Sequence, residues 1–205
     1  MVISMERWVE KVAIVTGASS GIGAAIVEQL VEAGLKVVGL ARRKERLEEL
    51  SKHLEGKKGK FYAYSADISK EEDILKAFQW VKDNLGPVHI LVNNAGVTRV
   101  TNLTDGNTEF WKEVLDTNVL GLCIATREAV KDMRANNVDG HIIHINSIAG
   151  HYVPAFPNTN VYAGSKYAVT ALTETLRQEL NSIGSKIKIT VSRKFIPSVL
   201  ILNIN

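Results

Sequence analysis

A tyrosine and a lysine stand four residues apart in the segment V-Y-A-G-S-K-Y-A-V-T-A-L, as Tyr162 and Lys166. Residues spaced by four lie on one face of a helix, so the phenol and the ammonium are expected to be neighbours. A free tyrosine, with a pKa of about 10, is a poor base at neutral pH, but a nearby ammonium favours the phenolate and lowers that pKa. Such a tyrosine can give a proton to a carbonyl oxygen or take one from an alcohol.

The pair alone is weak evidence, because most tyrosine–lysine pairs at this spacing are exposed residues on ordinary helices. Its interpretation depends on the elements that position it. Short apolar runs predict six strands, and segments with helical periodicity lie between them. The predicted strands are residues 11–16, 35–41, 61–66, 89–93, 141–146 and 186–192. Strands alternating with helices, and apolar almost throughout, indicate an α/β fold: a doubly wound parallel sheet with helices on both faces.

Four helices are predicted between these strands. Their ranges are 22–33, a helix that begins at Ser69 with a capping box to Glu72, 108–136, and a last helix that carries apolar residues from 169 to 183.

Three of the predicted strands finish in small and polar residues. The first ends in T-G-A-S-S-G-I-G, the fourth in N-N-A-G and the fifth in N-S-I-A-G, which places Ser147 just past a strand. In open parallel sheets ligands bind beyond the carboxyl ends of the strands. We therefore expect these three ends to form one site, in which Ser147 hydrogen-bonds the same oxygen as the tyrosine.

The first strand end is a glycine turn, with Gly17, Gly21 and Gly23 between a strand and a helix. Glycine permits a tight turn, and the N-terminus of the next helix offers unpaired N–H groups to a pyrophosphate. The turn lacks the G-K-[ST] of a phosphate-loop nucleotidase, which argues against ATP or GTP. A dinucleotide is favoured, and a plain strand-to-helix turn is the alternative.

The second strand ends in Ala41-Arg42-Arg43, where folds that prefer NAD carry an acidic residue. Two guanidinium groups suit the 2′-phosphate of NADP, which they can hold with paired hydrogen bonds. The alternative is a solvated pair at the start of a helix, but cations there oppose the helix dipole. Asp67, at the end of the third strand, either lines an adenine pocket or helps to cap the next helix.

Composition limits the function. The chain has 205 residues, a net charge of +3 and one cysteine. These values fit a single domain with no basic block for nucleic acid, no disulfide and no cysteine-rich metal site. The apolar run at the N-terminus is too short for a signal peptide, and no stretch approaches the length of a membrane span. The expectation is a cytoplasmic protein with no bound metal.

His141 and His144 are three apart in a strand, point to opposite faces and cannot share a metal. His151, Tyr152 and Phe156 follow Ser147 in an apolar loop, which either lines a substrate pocket for a bulky apolar alcohol or ketone or is a plain surface loop.

The ordered motifs together resemble the short-chain dehydrogenase/reductase family over about residues 8 to 192. They are T-G-A-S-S-G-I-G at 16–23, N-N-A-G at 93–96, Asn118, N-S at 146–147 and Y-A-G-S-K at 162–166. Three further segments, M-E-R-W, N-S-I-A-G-H and Y-A-V-T-A-L-T-E, resemble an animal branch that includes insect farnesol dehydrogenases and NADP-dependent keto-reductases.

The resemblance implies an NADP-dependent oxidoreductase and assigns roles to the matching positions. Tyr162 would be the catalytic acid/base, Lys166 would hold the nicotinamide ribose and lower the tyrosine pKa, and Ser147 would orient the substrate oxygen. Asn118 would anchor a water that links Lys166 to solvent, or else it is a polar residue that kinks its helix. The cofactor contacts would be Gly17, Ser19, Ser20, Gly21, Ile22 and Gly23 at the pyrophosphate, Arg42 and Arg43 at the 2′-phosphate, and Asp67, Ile68 and Asn94 around the adenine and its ribose.

The sequence leaves the family pattern near Ser192, and residues 193–205 are interpreted as a divergent tail after a single 1–192 domain. Relatives have a substrate loop, a last helix and a seventh strand here, which in many of them form a subunit contact; a homo-oligomer stays open. Two functions follow. One is an NADP-dependent dehydrogenase or reductase acting on an apolar alcohol or carbonyl compound, and the other is an NADP-binding variant with impaired catalysis.

Overall fold

The computed structural model describes residues 5–153, 155, 157 and 160–194. It contains six strands: β1 (Val12–Thr16), β2 (Lys36–Ala41), β3 (Lys60–Ser65), β4 (Val88–Asn93), β5 (His141–Ser147) and β6 (Lys188–Lys194). The six helices in the described ranges are α1 (Gly21–Glu32), α2 (Lys44–His53), α3 (Glu71–Leu85), α4 (Thr108–Leu115), α5 (Gly121–Ala135) and α6 (Asn160–Ser182). All six predicted strands are confirmed, each within two residues of its predicted ends.

The strands form one parallel sheet in the order β3-β2-β1-β4-β5-β6. The chain builds outward from β1 to β3 and then returns to the other side of β1 with β4. The order reverses between β1 and β4, and the crevice beyond the carboxyl ends at such a point is where open α/β sheets bind ligands.

Helices cover both faces of the sheet, because successive residues of a strand point to opposite faces. In β1, Val12 and Ile14 join one apolar cluster, which includes residues of α3, α5 and α6. Ala13 and Val15 join the other, which includes residues of α1 and α2. The predicted doubly wound fold is confirmed.

The predicted helix over 108–136 is interrupted, which corrects the expectation of one continuous element. A π-helical turn, Asp116–Leu120, separates α4 from α5. At its centre the buried side chain of Asn118 accepts from the Val97 N–H at 2.8 Å and donates to the Val97 carbonyl oxygen at 2.9 Å. Wide turns of this kind occur within helices mainly at functional sites.

The predicted capping box at Ser69 is wrong. The Ser69 hydroxyl donates to Asp67 Oδ1 at 2.8 Å, and its backbone N–H donates to the same oxygen at 3.0 Å. The helix begins two residues later at Glu71, with Lys70 as an N-cap that makes no side-chain capping bond. Asp67 thus holds both the hydroxyl and the backbone N–H of Ser69 in the turn before α3, and the helix begins beyond this turn.

None of the helices in the described ranges is long and apolar enough to cross a membrane.

Candidate active site

The ends of β1 and β4 are joined by direct hydrogen bonds. Asn94 donates its side-chain N–H groups to the carbonyl oxygens of Thr16 at 2.9 Å and Gly17 at 3.2 Å. The Thr16 hydroxyl in turn accepts from the backbone N–H groups of Asn94 and Ala95, each at 3.0 Å. The predicted convergence of these two strand ends is therefore present, with Asn94 shaping the glycine turn. The motif alone does not indicate this role of Thr16, although a hydroxyl at a strand end is a signal for such a link.

The glycine turn leaves no room for side chains on its inner side. A Cβ on Gly23 would lie 2.2 Å from the Gly17 carbonyl oxygen, and a Cβ on Gly17 would lie 2.8 Å from Ala95 Cα. Gly17 also has a φ of +66°, which glycine adopts without strain. On the outer side, a Cβ on Gly21 would meet nothing within 4 Å. The inner side of the turn is therefore crowded, and its outer side is open at Gly21.

Helix α1 begins at Gly21, directly after this turn. Its N-cap, Ser20, makes no side-chain capping bond, so the helix start carries its positive dipole end without a side-chain anion. Ile22 is half-buried in the first turn. An open, glycine-rich helix N-terminus at a switch point fits a dinucleotide pyrophosphate.

Arg43 lies across this turn. Its Nη2 donates to the hydroxyl oxygens of Ser19 at 3.0 Å and Ser20 at 2.7 Å, and its Nε donates to Ser19 at 3.3 Å. Partial burial lowers the pKa of Arg43, and the charges of Arg46 and Arg42 act in the same direction. Arg42 is exposed beside it. Three guanidinium groups near two hydroxyls form a cationic corner that suits a phosphate monoester.

The residues predicted around the adenine lie at the ends of β3 and β4. Asp67 is engaged in the turn before α3 through Ser69, and Ile68 is buried in the apolar cluster under α3 and α5. The structure thus shows Asp67 shaping a turn without capping α3. A role for Asp67 and Ile68 at the adenine stays a prediction.

Ser147 and Tyr162 meet at the end of β5. Ser147 is buried, and its Oγ accepts from the Ala149 N–H at 3.1 Å, which caps a short 3-10 helix over residues 148–150. Its hydroxyl is hydrogen-bonded to the Tyr162 phenol. Tyr162 lies in the first turn of α6, so the start of this helix and the end of β5 bring the two hydroxyls together.

Lys166 lies one turn further along α6. Its side chain is buried, and Nζ donates to the Ile145 carbonyl oxygen at 3.2 Å and lies 5.8 Å from the centre of the Tyr162 ring. A Cβ on Gly96 would lie 3.8 Å from Lys166 Nζ and 3.4 Å from Asn118 Oδ1. The lysine, Asn118 and the N-N-A-G segment therefore approach one another, as the convergence of strand ends predicts.

The pKa values correct one expectation. Burial raises the pKa of Tyr162, and the hydrogen bond from Ser147 lowers it by less. Burial lowers the pKa of Lys166 to about 8. The predicted lowering of the tyrosine pKa by the ammonium is not seen, because desolvation of the phenol dominates and Nζ is turned to the Ile145 carbonyl oxygen.

Asn118 is also bonded to the start of α6. Its Nδ2 donates to Ser165 Oγ at 3.0 Å, and the Ser165 hydroxyl donates to the Tyr162 carbonyl oxygen at 2.7 Å. The π-helical turn agrees with the interpretation of Asn118 as a kinking residue, and its role in holding a water stays a prediction. Ser165 is fully buried. The Y-A-G-S-K motif does not predict its bonds, because its partner Asn118 lies far away in the sequence.

The loop after Ser147 is partly described. His151 and Tyr152 are exposed, and the third predicted pocket residue, Phe156, lies outside the described residues. Among the described residues no group of three metal-binding side chains is gathered.

The glycine turn at 16–23, called the nucleotide cradle below, lies beside Ser147, Tyr162 and Lys166 at the carboxyl edge of a parallel sheet. This combination is typical of one class of protein. A family model described as "short chain dehydrogenase" matches residues 11–193, and the chain belongs to that family. It is an oxidoreductase of the short-chain dehydrogenase/reductase type.

The chain is similar to a farnesol dehydrogenase of Aedes aegypti, with 55% identity over 189 residues, which are 91% of this chain and 77% of that protein. It is 49% identical over 189 residues to dehydrogenase/reductase SDR family member 11 of Homo sapiens, covering 91% of this chain and 73% of that protein.

Two solved structures bound to different nucleotides are also similar. A short-chain dehydrogenase/reductase from Burkholderia phymatum in complex with NAD has a TM-score of 0.87 and 29% identity, covering 92% of this chain and 66% of that one. A metagenomic short-chain oxidoreductase in complex with NADP has a TM-score of 0.82 and 30% identity, covering 94% and 84%. The neighbours therefore include binders of both nucleotides.

The buried ammonium yields a prediction about stability. Lys166→Met is expected to raise the free energy of unfolding at pH 7 by about 1–3 kcal/mol while abolishing turnover, because a buried charge is replaced by an apolar chain. The folded lysine loses its proton near pH 8 and the unfolded one near 10.5, so the folded state binds fewer protons between these values. The unmodified chain should therefore gain stability as pH rises through this window, and the variant should not.

Chemical denaturation at several pH values measures this effect. Lys131→Met, at a side chain that is 65% exposed, is the matched control and should change the free energy of unfolding little. A lower free energy of unfolding for Lys166→Met at pH 7 would contradict the prediction.

Proposed function

We propose that this chain is an NADP-dependent oxidoreductase that transfers a hydride between NADP(H) and an alcohol or its aldehyde or ketone. The observation that carries the reaction is the hydrogen-bonded Ser147–Tyr162 pair with the buried Lys166 one turn away. Choice of NADP is supported by Arg43, whose guanidinium already holds the Ser19 and Ser20 hydroxyls over the glycine turn.

The dinucleotide, when bound, supplies the hydride and accepts it in the reverse direction. The glycine turn and the N-terminus of α1 would hold its pyrophosphate, and Arg43 with Arg42 its 2′-phosphate. Lys166 would donate to the ribose on the nicotinamide side. The glycine turn is crowded on its inner side and open on its outer side, which fits the binding of a pyrophosphate.

In carbonyl reduction, Ser147 donates a hydrogen bond to the substrate oxygen and Tyr162 gives it a proton. A phenol whose pKa is raised by burial is fully protonated at neutral pH, which suits the role of acid. Lys166, with a pKa of about 8, carries its charge at neutral pH and would hold the nicotinamide ribose beside the phenol. As pH rises past 8 this charge is lost, so reduction should slow. Alcohol oxidation uses the same groups in reverse.

An apolar substrate is supported by the side chains around the site. Tyr152 and Val153, which follow Ser147, are 61% and 59% exposed, and Val100 and Leu103 after β4 are more exposed still. Large apolar residues exposed on the loops that follow β4 and β5 favour an apolar ligand. The similarity to a protein named farnesol dehydrogenase favours an isoprenoid or comparable alcohol or carbonyl compound.

The proposal is tested by following NADPH absorbance with the purified chain and a set of aldehydes and ketones. Farnesal and an apolar diketone are expected to be reduced faster than glyceraldehyde, which serves as a polar control, and NADPH is expected to be preferred to NADH. Cofactor fluorescence measures binding separately. Binding of NADPH without turnover of any substrate would favour the alternative of a nucleotide-binding variant with impaired catalysis.

A further inference from the structure

A buried histidine lies in a chain of hydrogen bonds that joins four elements. The imidazole of His144, 1% exposed, lies with Nδ1 2.9 Å from Thr173 Oγ1 of α6 and Nε2 3.3 Å from Thr126 Oγ1 of α5. The Asn93 amide at the end of β4 donates to Thr126 Oγ1 at 2.9 Å. At the other end, Thr173 donates to the Val169 carbonyl oxygen at 2.7 Å.

The groups at the two ends of this series of hydrogen bonds limit the directions of the bonds between them. The Asn93 N–H can only donate, so Thr126 accepts from it through one lone pair and keeps its hydroxyl proton for a second partner. The Val169 carbonyl can only accept, so Thr173 gives it the hydroxyl proton and accepts from Nδ1–H. All bonds are satisfied together by a neutral imidazole with its proton on Nδ1.

His144 is one of several residues through which β5 holds α6, and Asn146 is another. Asn146 is two residues further along the strand and so faces the same side of the sheet. Its Nδ2 donates to the Lys166 carbonyl oxygen at 3.3 Å and to Thr170 Oγ1 at 2.9 Å. Thr173 lies seven residues after Lys166, about two helical turns, and so on the same face of α6. The catalytic helix is thus fastened to β5 at two successive levels.

The same series of hydrogen bonds ends at Asn93, beside the nucleotide cradle. Asn93 lies opposite His144 in the register of β4 and β5. It immediately precedes Asn94, which holds the glycine turn. On the other side, the residue after His144 is Ile145, whose carbonyl oxygen receives the Lys166 ammonium. His144 therefore lies between the glycine turn and Lys166, and it is not itself part of the site.

We propose that His144 is a positioning residue, which fastens α5 and α6 to β5 and so sets the place of Tyr162 and Lys166 relative to the strand ends. This inference rests on the proposed function as far as turnover is concerned. Burial lowers the pKa of His144 to about 4, and the charge of Lys166 acts in the same direction, so the neutral form is present at physiological pH.

His144→Leu removes both imidazole bonds in the full chain. Hydrogen exchange of the backbone amides at 162–173 is expected to become faster, because α6 then loses the bond between Thr173 and His144. With NADPH and a reactive carbonyl substrate, kcat is expected to fall by about 10–100-fold, because a small misplacement of catalytic groups is costly. The Kd for NADPH should change little.

His144→Asn distinguishes positioning from filling of the core. Its amide nitrogen can stand near the place of Nδ1 and donate to Thr173, so it is expected to restore slow exchange and most of kcat. The matched control is His141→Asn on the same strand, where the imidazole bonds Thr190 of β6 at 2.8 Å and not α6. This control should leave exchange in α6 and kcat unchanged.

Nitrogen-15 NMR of the histidine side chains gives a readout that needs neither substrate nor variant, and it should show the Nδ1–H tautomer for His144. An Nε2–H tautomer, unchanged exchange and kcat in His144→Leu, or equal losses in the His141 control would overturn the proposal. A failure of the proposed function looks different, since the unaltered chain would then oxidise no NADPH while the tautomer and exchange results still hold.

Discussion

Replacing Tyr162 with phenylalanine is expected to lower kcat for NADPH-dependent carbonyl reduction by about 10²–10⁴-fold. The change removes one oxygen, which is the phenolic oxygen hydrogen-bonded to the Ser147 hydroxyl. The aromatic ring remains, so the start of α6 should keep its packing. Steady-state kinetics gives kcat, and fluorescence titration should show NADPH binding close to that of the unaltered chain.

Tyr167 offers a matched control on the same helix. It is 42% exposed and lies five residues after Tyr162, which turns it to another face of α6. Tyr167→Phe should leave kcat unchanged. Retention of normal turnover by Tyr162→Phe would refute the assignment of this phenol as the acid, and equal losses in both variants would indicate a general effect on the helix.

Replacing Arg43 with alanine is expected to weaken NADPH binding by about 10–100-fold and to change NADH binding little. The two nucleotides differ in the 2′-phosphate, and Arg43 is the guanidinium that lies over Ser19 and Ser20 at the glycine turn. Burial lowers the pKa of Arg43, repulsion from Arg46 and Arg42 adds to this effect, and an anion bound there would relieve the repulsion. Isothermal titration with each nucleotide measures the preference directly.

The neighbouring Lys44 is the control for a general loss of positive charge. It is exposed and paired with Glu48 at 3.6 Å, so Lys44→Ala should weaken NADPH binding far less than Arg43→Ala. An equal loss of affinity for NADH in Arg43→Ala would mean that the arginine serves the turn and not the 2′-phosphate. A preference for NADH in the unaltered chain would contradict the proposal outright.

The fold could be predicted from the sequence because its signals are local and repeated. Each strand is a short apolar run, and alternation with helices leaves a parallel sheet as the arrangement that buries them. The interruption at Asp116–Leu120 could not be predicted in this way, because it depends on Val97, some twenty residues earlier in the chain. The predicted cap at Ser69 is wrong for a related reason, since Asp67 holds Ser69 in a turn that precedes the helix.

The sequence predicts which residues meet in the site, but it does not predict the direction of the pKa shift of Tyr162. Strand ends and glycine spacing indicate which residues meet, as Asn94 and the glycine turn do. The spacing of Tyr162 and Lys166 predicts proximity but not the direction in which the ammonium turns or the degree of burial. Those two properties decide the sign of a pKa shift, and they depend on packing from several elements. His144 was placed on the correct strand, yet its partners lie on two helices that no local pattern links to it.

The bonds between Thr16 and Asn94 join residues 78 positions apart. Parallel strands are joined by long crossover connections, and contacts between residues far apart in sequence form slowly. We therefore expect the glycine turn to reach its final shape late in folding, when β4 returns to β1. A nucleotide that binds there would recognise only molecules that have completed this step, and by mass action it would shift the population toward the folded state.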